Sequence, residues 1–498
     1  MSRTFVIGIG GTGAKCVESF IHLCAAGAGP EVAWVGLIDQ DQSNGNTARA
    51  RRLIEQYEVI RNALRVDADA SVSRDLGLFR TEVENGGLWC PVDDPSASLQ
   101  RVFSYEMLKP ELRNLMDILY SDREKNQEFS EGFRGHPSIG APVMLSGAGH
   151  DHSFWRDFDR ALLAARGGED VRIVLFASIF GGTGAAGFPN IARMINTRLK
   201  DEGIDRGVSV AGVLMLPYFS FPSSADGQDL AARAERFLEE SQGALHYYGQ
   251  LLESSPFIDS LYVVGWSPLI ELGYYSEGAE SQVSPPLIPE LYAGLAACNF
   301  CSEQPPDPGR LLVTARKEAS KVSWDDLPAP KPGMSAATVL GGHARFCWAY
   351  KYIYAPSLLQ VRRPIRIEQW FRRLLSRQGV NLRSQKTRSD IENLRSYSAQ
   401  YLWWLANIAT TAGDEESVEL IDVSAVASRD RGDPLSPAAL KEAASEREEH
   451  LYSDLVKGQN GRSLSEIFEA LTYGDIPKAC SGFGALPGAL YHASALGR

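Results

Sequence analysis

The sequence has few cysteines, no long apolar run and no excess of basic residues. Its seven cysteines are an odd number scattered over 498 residues, which does not fit a paired disulfide framework. The longest apolar run, residues 208–218, is shorter than the roughly 20 residues that a membrane-spanning helix needs. The first residues also lack the apolar stretch and cleavage site of a secretory signal. We therefore expect reduced thiols, no transmembrane segment and a cytoplasmic location.

The charge balance argues against nucleic acid as the partner of the whole surface. The chain has 50 basic and 62 acidic residues and a net charge of -12, whereas nucleic acids attract basic surfaces. With 44% hydrophobic and 22% charged residues, the composition is that of a folded globular protein. At roughly 100 to 200 residues per domain, the length predicts two or three domains.

Strand-like and helix-like segments alternate through the amino-terminal part of the chain. The strand patterns cover residues 4–9, 32–38, 171–177, 208–216 and 257–264. The helical patterns cover residues 14–26, 154–165, 188–199, 230–252 and 285–301. This alternation predicts an α/β fold with a mostly parallel sheet that has helices on both faces.

The first motif that carries chemistry is a glycine-rich turn between the first strand and the first helix. It has the spacing GxGxxG and contains Gly10, Gly11, Thr12 and Gly13. Glycines let backbone amides approach a phosphate closely, and a helix amino terminus adds free N–H groups. In this context the motif indicates phosphate binding. The alternative is a turn that only lets the helix pack closely on the strand.

Two carboxylates follow the second strand pattern. Asp39 and Asp41 are expected at the carboxyl end of the sheet, where a carboxylate can hold a ribose hydroxyl or a nucleotide-bound magnesium ion. The alternative is an Asx-type turn at the strand end, because Asp, Ser, Asn and Gly crowd this loop.

A second, denser glycine motif follows a later strand pattern. It contains Gly181, Gly182, Thr183 and Gly184 and again precedes a helical pattern. A dinucleotide-binding fold needs one phosphate loop after its first strand, so that fold leaves the second loop unexplained. Two glycine loops that face one crevice indicate a ligand with several phosphates.

These motifs resemble those of the tubulin/FtsZ superfamily, and of bacterial tubulin-like proteins in particular. The segment FGGTGAAGFPNIA is similar to the tubulin signature GGGTGTG and the helix that follows it. Other segments occur in the family's order: VIGIGGTGAKCVESF, VGLIDQD, GHPSIGAP, VAGVLMLPYFSF, FIDSLYVVGWSPLI and PPLIPELYAGLAACNF. The resemblance covers roughly residues 4–303.

The resemblance implies that the ligand is GTP with Mg²⁺, and that GDP is the product. Residues 10–13 would surround the inner phosphates and residues 181–184 the outer ones, with Asp39 and Asp41 near the metal. It also implies a nucleotide-binding domain over residues 1–284, a central helix over 285–303 and a loop or linker over 304–340. Aromatic helical patterns then predict a mainly helical carboxy-terminal domain over residues 341–498.

Two further residues are implied to contact the base. Glu290 falls where the family reads guanine, and a carboxylate can accept from two adjacent guanine donors. Its alternative is an exposed glutamate that the helix dipole favours. Trp266 would stack on the base or the sugar, with a buried core tryptophan as the alternative.

Binding is better supported than hydrolysis. In polymerising members of the family an acidic loop after the central helix activates water, and residues 301–307, CSEQPPD, do not have its pattern. We therefore expect a slow GTPase whose nucleotide state controls self-assembly or partner binding. No catalytic residue is assigned.

Two other activities compete with this interpretation. The first glycine motif followed by Asp39, Asp41, Asn46 and Arg49 is similar to ubiquitin-activating-type adenylyltransferases, which bind ATP and magnesium. The first glycine motif and Asp39 alone would also fit an NAD-dependent dehydrogenase.

One segment is strongly basic. Residues 362–388 contain eight arginines and Lys386 against a single acid, Glu368. Interleaved apolar residues predict a basic helix with one apolar face. It is either a solvated helix docked on its own domain or a surface for a neighbouring subunit or an acidic protein partner.

Overall fold

The computed structural model describes most of the chain. The described residues are 2–65, 77–147, 152–164, 170–204, 207–220, 228–254, 257–272, 283–302, 313, 315–317, 321–360, 368–410, 417–430, 446–474 and 480–496. The strands are β1 (Ser2–Ile9), β2 (Val32–Ile38), β3 (Glu82–Trp89), β4 (Asp170–Ser178), β5 (Val208–Met215), β6 (Phe219–Ser220), β7 (Ser260–Val264), β8 (Ile270–Glu271), β9 (Lys321–Ser323) and β10 (Ser417–Glu419).

Helices surround these strands. The first ten are α1 (Gly10–Ala25), α2 (Gly45–Leu64), α3 (Leu99–Val102), α4 (Pro110–Leu119), α5 (Asp122–Asn126), α6 (Pro137–Gly147), α7 (Ser153–Ala164), α8 (Gly182–Asp201), α9 (Gln228–Ser254) and α10 (Ile288–Ser302). They are followed by α11 (Gly342–Ala349), α12 (Ala355–Gln360), α13 (Gln369–Phe371), α14 (Gln385–Thr410), α15 (Val423–Asp430), α16 (Glu446–Ser453), α17 (Leu464–Tyr473) and α18 (Ala485–Ser494).

Wider and tighter turns extend some of these helices. The π-type turns Ala337–Gly341 and Tyr350–Tyr354 join α11 and α12 into one continuous helix over residues 337–360. A third π-type turn, Arg372–Ser376, continues α13. Single 3₁₀ turns lie at Tyr105–Met107, Phe129–Glu131, Trp324–Asp326 and Gly482–Gly484.

The central sheet has six parallel strands in the order β3-β2-β1-β4-β5-β7. One half of the sheet therefore runs outward from β1 through β2 to β3, and the other half runs outward from β4 through β5 to β7. This arrangement confirms the predicted α/β class with a mostly parallel sheet, and it is compatible with a Rossmann-like core. Two-stranded sheets formed by β6 with β8 and by β9 with β10 lie outside it.

The two faces of the sheet bury different sets of apolar residues. In β1, Val6 points into one core while Phe5 and Ile7 point into the other, because successive strand residues face opposite sides. The first core is covered by α1, α2 and α10, and the second by α6, α7 and α8. Helices thus cover both faces, as the alternation predicts.

The helices after residue 337 share the first core with the sheet. Tyr397 on α14 brings its hydroxyl within 3.4 Å of His22 Nδ1 on α1 and 3.1 Å of His343 Nε2 on α11. The Tyr491 hydroxyl donates to the Ala26 carbonyl at 2.8 Å. The predicted boundary at residue 341 falls inside the continuous helix 337–360, and the division into domains stays a prediction.

Two elements differ from the sequence patterns. Strand β3, with the sequence EVENGGLW, has no strand-like pattern, and it forms by pairing with β2 along its whole length. Helix α8 begins at Gly182 rather than at residue 188, so the second glycine motif is the first turn of a helix. Among the described residues, none of the helices combines the length and the apolar character that crossing a membrane requires.

Helix α1 touches the backbone of the sheet directly. A Cβ atom on Gly8 would lie 2.8 Å from the Gly13 carbonyl oxygen, and one on Gly13 would lie 2.8 Å from the Phe176 carbonyl oxygen. Real Cβ atoms do not come this close to rigid backbone, so glycine at both positions lets α1 lie on β1 and β4.

We expect Gly13→Ala to destabilise the protein by about 1–3 kcal/mol, because the added methyl group overpacks a backbone contact. The control is Gly243→Ala in α9, where nothing lies within 4 Å of the added atom, so helix propensity should raise stability by roughly 0.5–1 kcal/mol. Urea unfolding of both variants tests this. Equal stability of the two would contradict the packing argument.

Candidate functional site

A cleft of about 950 Å³ opens at the carboxyl edge of the sheet, where β1 and β4 lie side by side. Between these strands the chain order reverses, and such switch points are where open parallel sheets bind ligands. The wall on the sheet side is formed by Gly10, Gly11, Thr12, Lys15, Asp39, Asp41, Asn44, Asn46, Ser178, Phe180, Gly181, Gly182, Thr183, Gly184, Tyr218, Phe219 and Ser284.

The two glycine motifs meet in this cleft. Because Ile9 pairs with Ala177, α1 and α8 both begin at the same edge of the sheet. A Cβ atom on Gly10 would lie 3.3 Å from both the Gly184 nitrogen and the Thr183 Cβ atom. Gly10 also has a φ of +74°, a left-handed conformation that glycine adopts easily. Two helix amino termini with free N–H groups thus lie next to each other.

Asp39 connects the end of β2 to the second glycine motif. Its carboxylate accepts hydrogen bonds from the hydroxyl groups of Thr47, at 3.0 Å, and Thr183, at 3.3 Å. Asp41 accepts from the backbone N–H and the hydroxyl group of Ser43, at 3.1 and 2.9 Å. The Asx-type turn therefore exists at Asp41, and both carboxylates nevertheless line the cleft.

The environment of Asp39 favours its neutral form. Burial, and then the neighbouring charge of Asp41, raise the pKa of Asp39 to about 7. Two carboxylates and a hydroxyl group are hard oxygen donors of the kind that suit Mg²⁺. Across the described ranges, no group of three or more His, Cys, Asp or Glu side chains is arranged to hold a metal ion. A magnesium ion here would share its coordination with oxygens of a ligand, as nucleotide-bound magnesium does.

The opposite wall of the cleft is polar and comes from residues 121–136. A Cβ atom on Gly182 would lie 2.9 Å from the Gly135 nitrogen and 3.1 Å from the Phe133 Cβ atom, so this loop rests on the start of α8. The charged or titratable side chains of this wall are Arg123, Glu124, Glu128, Glu131, Arg134 and His136. Of these, only His136 lies in a segment that the sequence pattern singled out, GHPSIGAP. A capping box at Ser121 and the glycines at 132 and 135 were the only local signals.

The segment GHPSIGAP, residues 135–142, is one of those that resemble the tubulin/FtsZ superfamily, and it lies only partly in this wall. Gly135 and His136 belong to it, whereas α6 begins at Pro137.

Glu290 lies at the start of α10 and is fully buried. Its carboxylate forms an ion pair with Lys15 and accepts from the Tyr218 hydroxyl at 2.6 Å and from the Leu287 N–H at 2.8 Å. The alternative of an exposed glutamate is therefore wrong. Lys15 and Tyr218 line the cleft, and Glu290 lies behind them. Its role in reading guanine stays a prediction.

Trp266 lies in a different, smaller groove. Leu216, Pro217 and Leu245 line that groove with it, and the Arg316 guanidinium lies 4.6 Å from the centre of its ring. Its side chain is half-buried rather than part of the core. This location gives no support to stacking on a ligand in the main cleft.

Arg49 and Asn46 hold the rim of the cleft together. The Arg49 guanidinium donates to both carboxylate oxygens of Glu18 at 2.8–2.9 Å and to the Ser284 carbonyl at 2.9 Å. Asn46 accepts from the Ser284 N–H at 3.0 Å. Asn46 lines the cleft, whereas Arg49 is engaged in a buried ion pair.

Comparison with known protein families finds no family model that matches the chain. Among curated proteins, none matches it either. The function therefore has to be argued from the cleft and its residues.

We expect the pKa of Asp39 to make the ligand-free protein less stable as pH rises. The folded state keeps a proton that the unfolded chain releases above its ordinary pKa of 3.8. The contribution of Asp39 to stability therefore falls by a few kcal/mol between about pH 4 and 7. Burial lowers the pKa of His22 and His343, and these groups contribute the opposite slope. The Asp39 contribution is therefore the difference between the pH profiles of the parent protein and of Asp39→Asn, whose amide does not titrate. Thermal melts between pH 5 and 8 measure it.

The control is Asp94→Asn. Asp94 is exposed, and hydrogen bonds from Ser96 lower its pKa, so its contribution is constant above pH 5. An unchanged pH slope in Asp39→Asn would show that Asp39 titrates normally.

Proposed function

We propose that this chain is a tubulin-like GTP-binding protein whose nucleotide state controls self-association or partner binding. The observation that carries the proposal is the meeting of two glycine-rich helix amino termini in one cleft beside Asp39 and Asp41. Backbone amides from two helices can donate to several phosphate oxygens at once, and the carboxylates supply ligands for the magnesium ion that accompanies a triphosphate.

The cleft has the size and polarity that a nucleotide requires. Its volume of about 950 Å³ is at the upper end of the range of roughly 300–1,000 Å³ for small-molecule sites. The phosphate end is built from backbone amides and hydroxyl groups, and an aromatic wall with Phe180, Tyr218 and Phe219 follows it. A charged tail and a planar base fit these two ends.

The alternative activities have less support. An NAD-dependent dehydrogenase uses one glycine loop and gives no role to the start of α8. In the adenylyltransferase interpretation Arg49 would bind ATP, yet its guanidinium is already engaged by Glu18 and Ser284. The central α10, which packs along α1 and over β5 and β7, agrees with the arrangement that the tubulin/FtsZ resemblance implies.

We propose slow hydrolysis rather than rapid turnover. The sequence after α10 does not have the acidic pattern that activates water in polymerising members of the family. Of the segment 301–307, Cys301 and Ser302 end α10, and residues 303–307 are outside the described part of the chain. The catalytic group, if one acts, stays unassigned.

A charge placed at the start of α1 tests the site. Thr12 is half-buried in the cleft wall, and Thr12→Glu should weaken GTP binding by about tenfold or more at low salt through repulsion of the phosphates. The matched control is Thr12→Gln, because the glutamine side chain has nearly the same shape as glutamate and carries no charge. The Thr12→Glu variant should fold, since a helix amino terminus favours a carboxylate, and the neutral Thr12→Gln variant reports the effect of side-chain size alone. Calorimetric titration with magnesium and GTP gives the two affinities.

Thermal melts of the parent protein with different nucleotides identify the ligand. GTP should raise the melting temperature of the parent protein more than ATP or NAD does. Equal GTP affinity of the two Thr12 variants, or a larger shift with NAD, would contradict the proposed site.

The basic segment supplies a candidate surface for self-association. Residues 361–367 lie outside the described part of the chain. In the rest, buried Trp370 and Leu375 dock the helix on the protein, and the Arg373 guanidinium donates to the carbonyls of Thr472 and Gly474. Arg372 and Arg377 are exposed. The helix is thus docked on its own chain and still presents two cations to a partner.

Replacing Arg372 and Arg377 with glutamate should reduce nucleotide-dependent assembly and leave GTP affinity unchanged. Complementary charge accelerates association, and salt screens it. The control places the same charge change on α8, at the exposed Arg193 and Lys200. Sedimentation and light scattering with GTP at low and high salt compare the three proteins. Assembly of the first variant at the parental level would place the interface elsewhere.

A further inference from the structure

The cleft changes character beyond the start of α1. Phe180, Tyr218 and Phe219 form a contiguous aromatic wall, with ring centres of Phe219 at 5.6 Å from Phe180 and 4.9 Å from Tyr218. The Lys15 ammonium lies 5.9 Å from the centre of the Tyr218 ring. Apolar rings with one well-placed polar group are typical of the end of a site that binds a planar organic group.

This aromatic wall adjoins the phosphate end directly. Thr12, in the first turn of α1, lines the same cleft as Tyr218. Lys15 follows Thr12 by three residues, which is close to one helical turn. A nucleotide whose phosphates contact the start of α1 could therefore extend its ribose and base along Tyr218 and Lys15.

Lys15 is held in place by a buried partner. Its ammonium pairs with the Glu290 carboxylate, and both side chains are almost completely removed from solvent. The same carboxylate accepts from Tyr218 and from the Leu287 N–H. Three donors thus occupy Glu290, while an ammonium with three N–H groups can hold Glu290 and still donate to a ligand.

We infer that Lys15 is the residue that selects the base, by donating to the O6 and N7 acceptors of a 6-oxopurine, with Glu290 as its positioning residue. The inference rests on the proposed nucleotide-binding function. A lysine donor suits the adjacent acceptors of guanine, whereas adenine presents an amino group in place of O6. The Lys15 ammonium and the amino group of adenine are both donors, and placing them face to face disfavours adenine binding.

This assignment differs from direct reading by Glu290 in a way that nucleotide analogues distinguish. A carboxylate would bind the N1–H and the 2-amino group of guanine together, so it would discriminate against inosine, which lacks the 2-amino group. Lys15 would contact only O6 and N7, which inosine retains. Removal of N7, as in 7-deazaguanine, would weaken binding through Lys15 and leave binding through Glu290 unchanged.

The decisive measurement is the affinity of the unmodified full chain for GTP, ITP, 7-deaza-GTP and ATP with magnesium. We expect the affinity for ITP to be within about threefold of that for GTP. The affinity for 7-deaza-GTP should be lower than that for GTP, and the affinity for ATP should be lower by about tenfold or more. An ITP affinity as low as that of ATP, or equal affinities for GTP and ATP, would overturn the role of Lys15. Failure of every nucleotide to bind would instead overturn the proposed function.

A double variant tests the residues themselves. Lys15→Met with Glu290→Gln removes both buried charges together, because deleting one alone would strand the other. It should retain ATP affinity within about threefold and lose the preference for GTP and ITP. Equal weakening of GTP and ATP would show that Lys15 contacts phosphate and would overturn the inference. Circular dichroism and a thermal melt report whether the variant folds, and the analogue series decides the question if it does not.

Discussion

The direct packing of α1 on the two central strands is the contact on which the cleft depends. Gly8 and Gly13 bring the backbones of β1 and α1 together with no room for a Cβ atom on either residue. This contact aims the amino terminus of α1 at the carboxyl edge of the sheet, beside the start of α8. Because a packed interior does not adjust to added volume without cost, the position of the amides in the first turn of α1 is fixed by backbone packing.

The same helix connects the cleft to three other parts of the protein. Lys15 pairs with the start of α10, Glu18 pairs with α2, and His22 contacts α14. These residues follow each other at intervals of three or four, so they lie on one side of α1. Both ion pairs are buried, and breaking one would leave an uncompensated charge at a cost of about 3–5 kcal/mol. The two buried ion pairs therefore fix the positions of the helices beside the cleft.

The sequence predicts the features that depend on neighbouring residues, and it does not predict those that depend on contacts between distant residues. The glycine motifs at residues 10–13 and 181–184 could be placed together, because parallel strands bring their carboxyl ends to one edge. Strand β3 could not be predicted, since its stability comes from pairing with β2 and from Trp34, whose indole packs on Gly86. The engagement of Glu290 was equally hidden, because Lys15 and Tyr218 are distant in sequence and meet it only in the folded chain.

One end of the cleft is formed mainly by backbone groups, and the other end is formed by side chains. The end of the cleft at the two glycine motifs offers N–H groups from two helix termini, and these donors are the same whatever residues flank the glycines. Its other end offers rings and an ammonium, which depend on residue type and on a buried partner. Paired substitutions at Lys15 and Glu290 would therefore change the chemistry of this end of the cleft and leave the glycine motifs in place. Substitutions at Gly8 or Gly13 would move α1 itself, and both ends of the cleft would change together.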